Sequence, residues 1–421
     1  MASVVASSFV ATAMLGAQRP DAYSSSRDHA AIQYSTRPVE TAATRLNRDL
    51  QSGAVALSFD PASGYLPSLL AALHVPVESQ LLVFSQTSAQ ASRITPKVPR
   101  AIYFGDDVAV GWVRGADTLE ISAIDPRQGP VFYTLDQRRE TPPALTRNNG
   151  CLECHLTWDT LGVPGWTMIS TFPMPDDKNA YASGVSVDDR TDFDMRWGGW
   201  YVTGKSVPSR HYGNLPVIRP VGEVSRFIQP PVLQTVVGSI DAADYQSPFS
   251  DVVASMVLAH QARMVNLFTR TGWEYRVAAH DGTAMQKATA DRLQQAVEAL
   301  VDGLLFVDEA PLPRTIQGSS GFAERFAAPG AHDSRGRSLR QFDLTRRMMR
   351  HPCSYMIYSD AFDALPAPAL DAVYRRMWAI LSGEVSGKPY AKLTQADRAA
   401  VVDILKETKK NLPAYFEAVT R

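Results

Sequence analysis

The amino-acid sequence predicts an α+β fold, and three observations carry that expectation. Short runs of alternating apolar and polar residues crowd the first third of the chain. Beyond Pro248, apolar residues recur every three or four positions. Between these regions the chain has no sustained period and is dense in Pro, Gly, Asp and Trp. The expected architecture is therefore a small antiparallel β meander, a loop-rich layer and a C-terminal helical part.

Taken in order, residues 1–17 read as a signal peptide, because Val4 to Leu15 is a short apolar and small-residue stretch and Leu15-Gly16-Ala17 offers a cleavage site. No Lys or Arg precedes that stretch. Residues 18–48, rich in Ser, Ala, Thr and Arg without apolar periodicity, read as a linker or loose arm. Residues 49–140 form the β-rich part. Here Tyr65 to Leu73 has the pattern of a short helix and Gln80 to Ser85 that of a strand. Ala101 to Phe104, Val108 to Arg114, Thr118 to Ile124 and Val131 to Leu135 follow as strands, separated by Gly-Asp-Asp, Gly-Ala-Asp and Pro-Arg-Gln-Gly-Pro turns. Residues 141–245 are the loop-rich part, and long irregular segments in a compact protein usually wrap something. Residues 246–421 are helical, with helices expected over Ser250 to Thr271, Thr289 to Leu305, Leu339 to Met349, Leu370 to Leu381 and Thr394 to Glu407. Ser247-Pro248 and Thr394 to Asp397 supply capping chemistry for two of them.

Composition excludes several classes. Of 421 residues, 42 are Lys or Arg and 43 are Asp or Glu, so a formal charge of -1 supplies no general field toward nucleic acid or an anionic surface. No apolar run is long enough to span a bilayer. Three cysteines, two of them within four residues, cannot form a disulfide framework.

The pair belongs to Asn149-Gly150-Cys151-Leu152-Glu153-Cys154-His155. On one helical turn, thiols three residues apart present to the same edge of a planar ligand, and the adjoining imidazole reaches a metal at its centre. A zinc site would need a fourth ligand and has no second Cys or His cluster nearby in sequence. A thioredoxin-like pair would open a helix in a βαβ unit, whereas these flanks are loop and proline.

The Cys-x-x-Cys-His segment resembles the haem-attachment motif of c-type cytochromes, and the flanking Arg147 to Gly150 and Arg196 to Gly204 are similar to large bacterial cytochrome-like proteins. The resemblance implies one haem c per chain, thioether bonds to Cys151 and Cys154, His155 as proximal iron ligand, and assembly outside the cytoplasmic membrane. For the distal ligand, His211 is the first candidate, followed by Met174, Met168 and His260, with an open position as a further alternative. The expected function is electron transfer by an exported monohaem cytochrome to a redox partner protein or small oxidant. The alternative is a haem peroxidase or oxidase with an open distal site, in which Arg210 or His211 serves as the acid.

Three further signals carry less. Gly199 to Ser206 matches the phosphate-loop pattern, but Trp200 and Tyr201 are bulky and Pro208 follows where a helix should open. The arginines between Asp333 and Arg350 read as a solvated face, or as a source of haem-propionate neutralisation by Arg335, Arg337 or Arg340. Cys353, among apolar and aromatic neighbours, reads as an inert buried thiol.

Overall fold

The computed structural model describes residues 27–139, 142–171, 184–215 and 230–418. The alternating segments become β1 (Leu81–Val83), β2 (Arg100–Phe104), β3 (Val108–Trp112), β4 (Thr118–Asp125) and β5 (Gly129–Asp136). Two short strands, β6 (Leu145–Arg147) and β9 (Trp200–Tyr201), extend the meander at its edges, giving an antiparallel sheet of order β6-β5-β4-β3-β2-β1-β9. A separate hairpin pairs β7 (Met168–Thr171) with β8 (Gly184–Val187). With the helices below, the fold is α+β.

Period-two alternation sorts the sheet's side chains onto two faces. Leu82, Ala101, Tyr103, Val110, Trp112, Leu119, Ile121, Tyr133 and Leu135 point to one face. They are buried against Ile32, Tyr34 and two helices, α1 (Ala42–Ser52) and α2 (Leu66–Ala72), which contribute Leu46, Leu66 and Leu69. The opposite face, through Leu81, Val83 and Phe104, meets the larger core built on α4 (Val252–His280). Around α4 stand α5 (Lys287–Leu304), α6 (Phe322–Ala327), α7 (Asp360–Asp363), α8 (Ala367–Leu381) and α9 (Gln395–Thr408). The first two-thirds of α4 is buried on every side, as expected of a helix enclosed between layers rather than lying on a surface.

Several expectations change. The arm assigned to 18–48 is folded wherever it is described: Ile32 and Tyr34 are buried, Tyr34 Oη donates to the Pro130 carbonyl at 2.7 Å, and Thr41 opens α1 with a reciprocal cap to Thr44. A Thr–Thr cap lacks the acidic residue that usually signals a helix start, which is why the sequence concealed it. The helix expected over Leu339 to Met349 does not form. Asp343 accepts from the amides of Thr345 and Arg346, Leu344 adopts a φ of 56°, and Phe342 bridges to Met349. The short carboxylate thereby offers the backbone a turn in place of a helix. Asp251, not Ser247, caps α4, whereas Thr394 and Asp397 form the capping box expected at α9. Since β6 and β9 come from the loop-rich region yet complete the sheet, 49–140 and 141–245 share one layer. The segment 1–17 lies outside the described residues.

Candidate functional site

The Cys-x-x-Cys-His segment begins where β6 ends. Asn148 accepts from the Gly150 amide and opens a 3-10 turn over Asn149–Cys151 that runs into α3 (Leu152–His155). Leu152 is buried, so the turn is anchored by its apolar side while Cys151 is half-buried and Cys154 exposed. The His155 ring lies 4.6 Å from that of Phe132 on β5.

A second segment fixes the imidazole. The Gly165 amide donates to the His155 carbonyl at 2.9 Å, and His155 Nδ1 lies 3.0 Å from the Gly165 carbonyl, so it is the protonated nitrogen that donates there. Its Nε2 thus carries the lone pair, the tautomer a metal-ligating histidine needs. Gly165 is held in turn by α4: Asn266 Oδ1 accepts from the Trp166 amide at 2.9 Å and Asn266 Nδ2 donates to the Trp166 carbonyl at 2.8 Å. A Cβ at position 165 would stand 2.3 Å from Asn266 Oδ1, so only glycine allows this approach. Burial holds the His155 imidazole below its ordinary pKa and favours the neutral form.

Beside His155, the sheet presents small and polar side chains rather than a closed apolar surface. Cross-strand pairing puts Ala109, Gly111, Glu120, Ser122, Phe132 and Thr134 on one face, with Trp166 Nε1 donating to Ser122 Oγ at 2.7 Å. Arg100 on β2 crosses this face to Glu120 on β4, with Nη2 and Oε2 2.5 Å apart. A Cβ on Gly111 would meet that guanidinium at 2.5 Å, so the glycine makes the crossing possible. Arg100 Nε is buried and has no hydrogen-bond partner among the described residues.

This arrangement discriminates among the chemistries weighed above. Burial, helped by the nearby Glu120 charge, raises the Cys151 thiol above its ordinary pKa, opposite to what a reactive redox thiol requires. Among the described residues, the only His/Cys/Asp/Glu group whose ligand atoms converge as a metal cage requires is His29, His280 and Asp281, so Cys151, Cys154 and His155 do not form a zinc-like cage.

The distal candidates are not gathered around His155. His211 is buried beyond β9, its ring edge-on to Trp197 at 5.2 Å, and four strands separate β9 from β5, whose Phe132 touches His155. At a strand spacing of about 4.8 Å, a flat sheet would set them roughly 24 Å apart. The Gly213 amide donates to His211 Nδ1 at 3.0 Å, which in the neutral ring places the proton on Nε2, an atom buried without a partner among the described residues. The strand order therefore does not bring His211 to the His155 ring, and burial lowers its pKa to about 4. His260 is fully committed: Nδ1 meets Asp189 Oδ2 at 2.9 Å and Nε2 meets Ser354 Oγ at 2.7 Å. Met168 is buried in the core around Trp166. Met174 lies outside the described residues.

No linear pattern signals that Asp189, His260 and Ser354, scattered across 166 positions, line up as an acid–imidazole–hydroxyl series. Its surroundings argue for a clamp. All three are buried, Arg263 Nη1 also binds Asp189 at 2.9 Å, and Ser354 Oγ accepts from the Met356 amide to cap the following turn. Burial pushes the Asp189 carboxyl up, but Arg263 and His260 outweigh it and hold the group well below the carboxylate range.

The three arginines considered for a propionate are engaged within the chain, Arg340 with Asp106, Arg337 with Asp333 and Asp403, and Arg335 with Asp403. Residues 199–206 run from β9 into bridges at Thr203 and Ser206 without opening a helix. Cys353 is buried and its thiol is pushed up to about 12. No family model, curated protein or solved structure matches the chain. No helix among the described residues is long and apolar enough to cross a membrane.

Proposed function

We propose that the chain is a monohaem c-type cytochrome that transfers electrons outside the cytoplasmic membrane. Haem c, when bound, supplies a one-electron ferric/ferrous couple. The observation that carries the reading is the His155 geometry within the Cys-x-x-Cys-His turn, with Nδ1–H given to Gly165 and the Nε2 lone pair left for iron. Cys151 and Cys154 would form the thioethers. The Gly165 carbonyl orients the imidazole and raises its basicity, and Asn266 transmits the rigidity of α4 to that carbonyl. Arg100, paired through Nη2 with Glu120 but with Nε left over, would be the cation on this face to meet a haem carboxylate. The partner would be a redox protein or small oxidant, and the exported chain would begin near Gln18.

The reading is tested by expression with a cytochrome c maturation system followed by acid–acetone extraction, which removes coordinated haem and leaves thioether-bound haem in place. Wild-type protein should retain one haem per chain, and Cys151→Ala with Cys154→Ala should retain none. Haem retained by the double variant, or absent from the wild type, would sink the assignment. The spin state then separates the roles. Six-coordinate low-spin iron fits a carrier, and high-spin iron that binds cyanide or peroxide fits the peroxidase or oxidase reading.

A further inference from the structure

His29, His280 and Asp281 converge at the C-terminal end of α4, and nothing in the haem reading uses them. His280 is the last residue of the helix and Asp281 its cap; His29 belongs to the segment that crosses over it. That segment is not free to drift. The His29 carbonyl accepts from the amides of Ile32 and Gln33 at 2.8 and 2.9 Å, while Tyr34 is buried with its ring 6.0 Å from that of Trp273. Trp273 lies two turns before His280 on the same side of α4. The helix stripe that docks the segment therefore also presents an imidazole to His29.

Both imidazoles address one carboxylate oxygen. His29 Nε2 is 3.2 Å and His280 Nδ1 2.9 Å from Asp281 Oδ1, and the two rings meet edge-on with centroids 5.1 Å apart. One ligand atom from each residue falls within 4.8 Å of the others. A tetrahedral ion with bonds of about 2.0–2.1 Å has ligand atoms about 3.3 Å apart, and the two imidazole–carboxylate separations, 3.2 and 2.9 Å, are already close to that edge. We propose that these residues form a site for a divalent transition-metal ion of the zinc class, with two imidazoles, one carboxylate and a fourth position open to water. Two nitrogens with one oxygen favour zinc, nickel or copper over calcium or magnesium, which take all-oxygen cages. Loading exchanges the shared imidazole protons for the ion. It also gives up the bond from the Ala31 amide to His29 Nδ1, at 3.1 Å in the metal-free geometry, because Nδ1 must carry the proton when Nε2 ligates. The consequence is a clasp between the N-terminal segment and the end of α4.

Calorimetric titration with zinc chloride tests the site, on Cys151→Ser/Cys154→Ser protein so that thiols take up no metal. One equivalent should bind. Asp281→Asn and His280→Ala should each weaken binding by no less than the roughly ten- to hundredfold that even outer-shell partners cost. Far-UV circular dichroism confirms that each variant is folded, and Asp281→Asn, which keeps the side-chain shape, serves if His280→Ala is not. In parallel, zinc should slow tryptic cleavage after Arg27 and Arg37 in the parent and leave it unchanged in the variants. Zinc binding of equal affinity in parent and variants would overturn the proposal, as would uptake only when Cys151 and Cys154 are free. Since the thiols are absent from the test protein, failure here leaves the haem reading untouched, and failure of the haem reading leaves this site standing.

Discussion

His211 shows how a histidine can attract attention in a sequence that does not display its surroundings. In Arg210-His211-Tyr212-Gly213-Asn214 nothing distinguishes an iron ligand from a core residue. A linear pattern displays neither the Gly213 amide that its Nδ1 accepts nor the four strands that lie between β9 and β5. His155 was legible because its partners are near in sequence: both thiols lie within four residues and Gly165 ten residues on. The buried His211 makes its own pH signature. Its folded pKa, about 4, lies below the ordinary value near 6.5, so the native state favours the neutral ring. The resulting stability is fully present above pH 6.5 and is lost as pH falls through about 4, a difference of about 3 kcal/mol. Denaturant unfolding at pH 7 and pH 4.5 should show this loss in the wild type. His211→Asn, which keeps an acceptor for the Gly213 amide, should show a shallower loss, and an identical acid slope in both proteins would refute the assignment.

At the scale of elements, the strands of the meander were readable because alternation, turn residues and burial agree; from β2 to β5 the expected and observed limits differ by two residues at most. The long helix was readable from its apolar spacing, but its ends were set by side chains that act at a distance. Asp251 is fully buried and does two tasks. Oδ1 accepts from the Val253 and Ala254 amides at the helix start, while Oδ2 accepts from the Ser319 and Ser320 amides at 2.7 and 2.8 Å. Removing it uncaps α4 and leaves the half-buried Ser319 and Ser320 amides without their acceptor. Asp251→Ala should therefore destabilise the protein by about 3 kcal/mol, more than a surface cap would. Equilibrium unfolding measures this, and a loss below about 1 kcal/mol would mean that water replaces the carboxylate. The failed helix at 339–349 is the converse case, in which apolar spacing was present and one local hydrogen-bonding side chain, Asp343, won.

For the molecule as a whole, the sheet separates two cores and the N-terminal segment closes the one away from α5 to α9. A composition-based reading leaves that segment outside the fold, because two buried residues among polar ones produce no period. Yet Tyr34 is enclosed, bonded to Pro130 and covered by the Arg147 guanidinium 5.0 Å from its ring. Tyr34→Ala should lower global stability by about 3–5 kcal/mol, as expected when a core aromatic is deleted. A merely local change in protease susceptibility, with unchanged global unfolding, would return the segment to the status of an arm. The buried polar side chains of α4 have one further consequence. His260, Arg263 and Asn266 sit inside the largely apolar first two-thirds of a 29-residue helix, and each finds its partner on another element only once the chain has folded. Before folding, a membrane-insertion machine would read the same residues bare, and charged groups near the middle of a helix oppose insertion by about 2.5–3.5 kcal/mol each. The network that holds the finished core together thus also keeps the bare helix from being read as a membrane span.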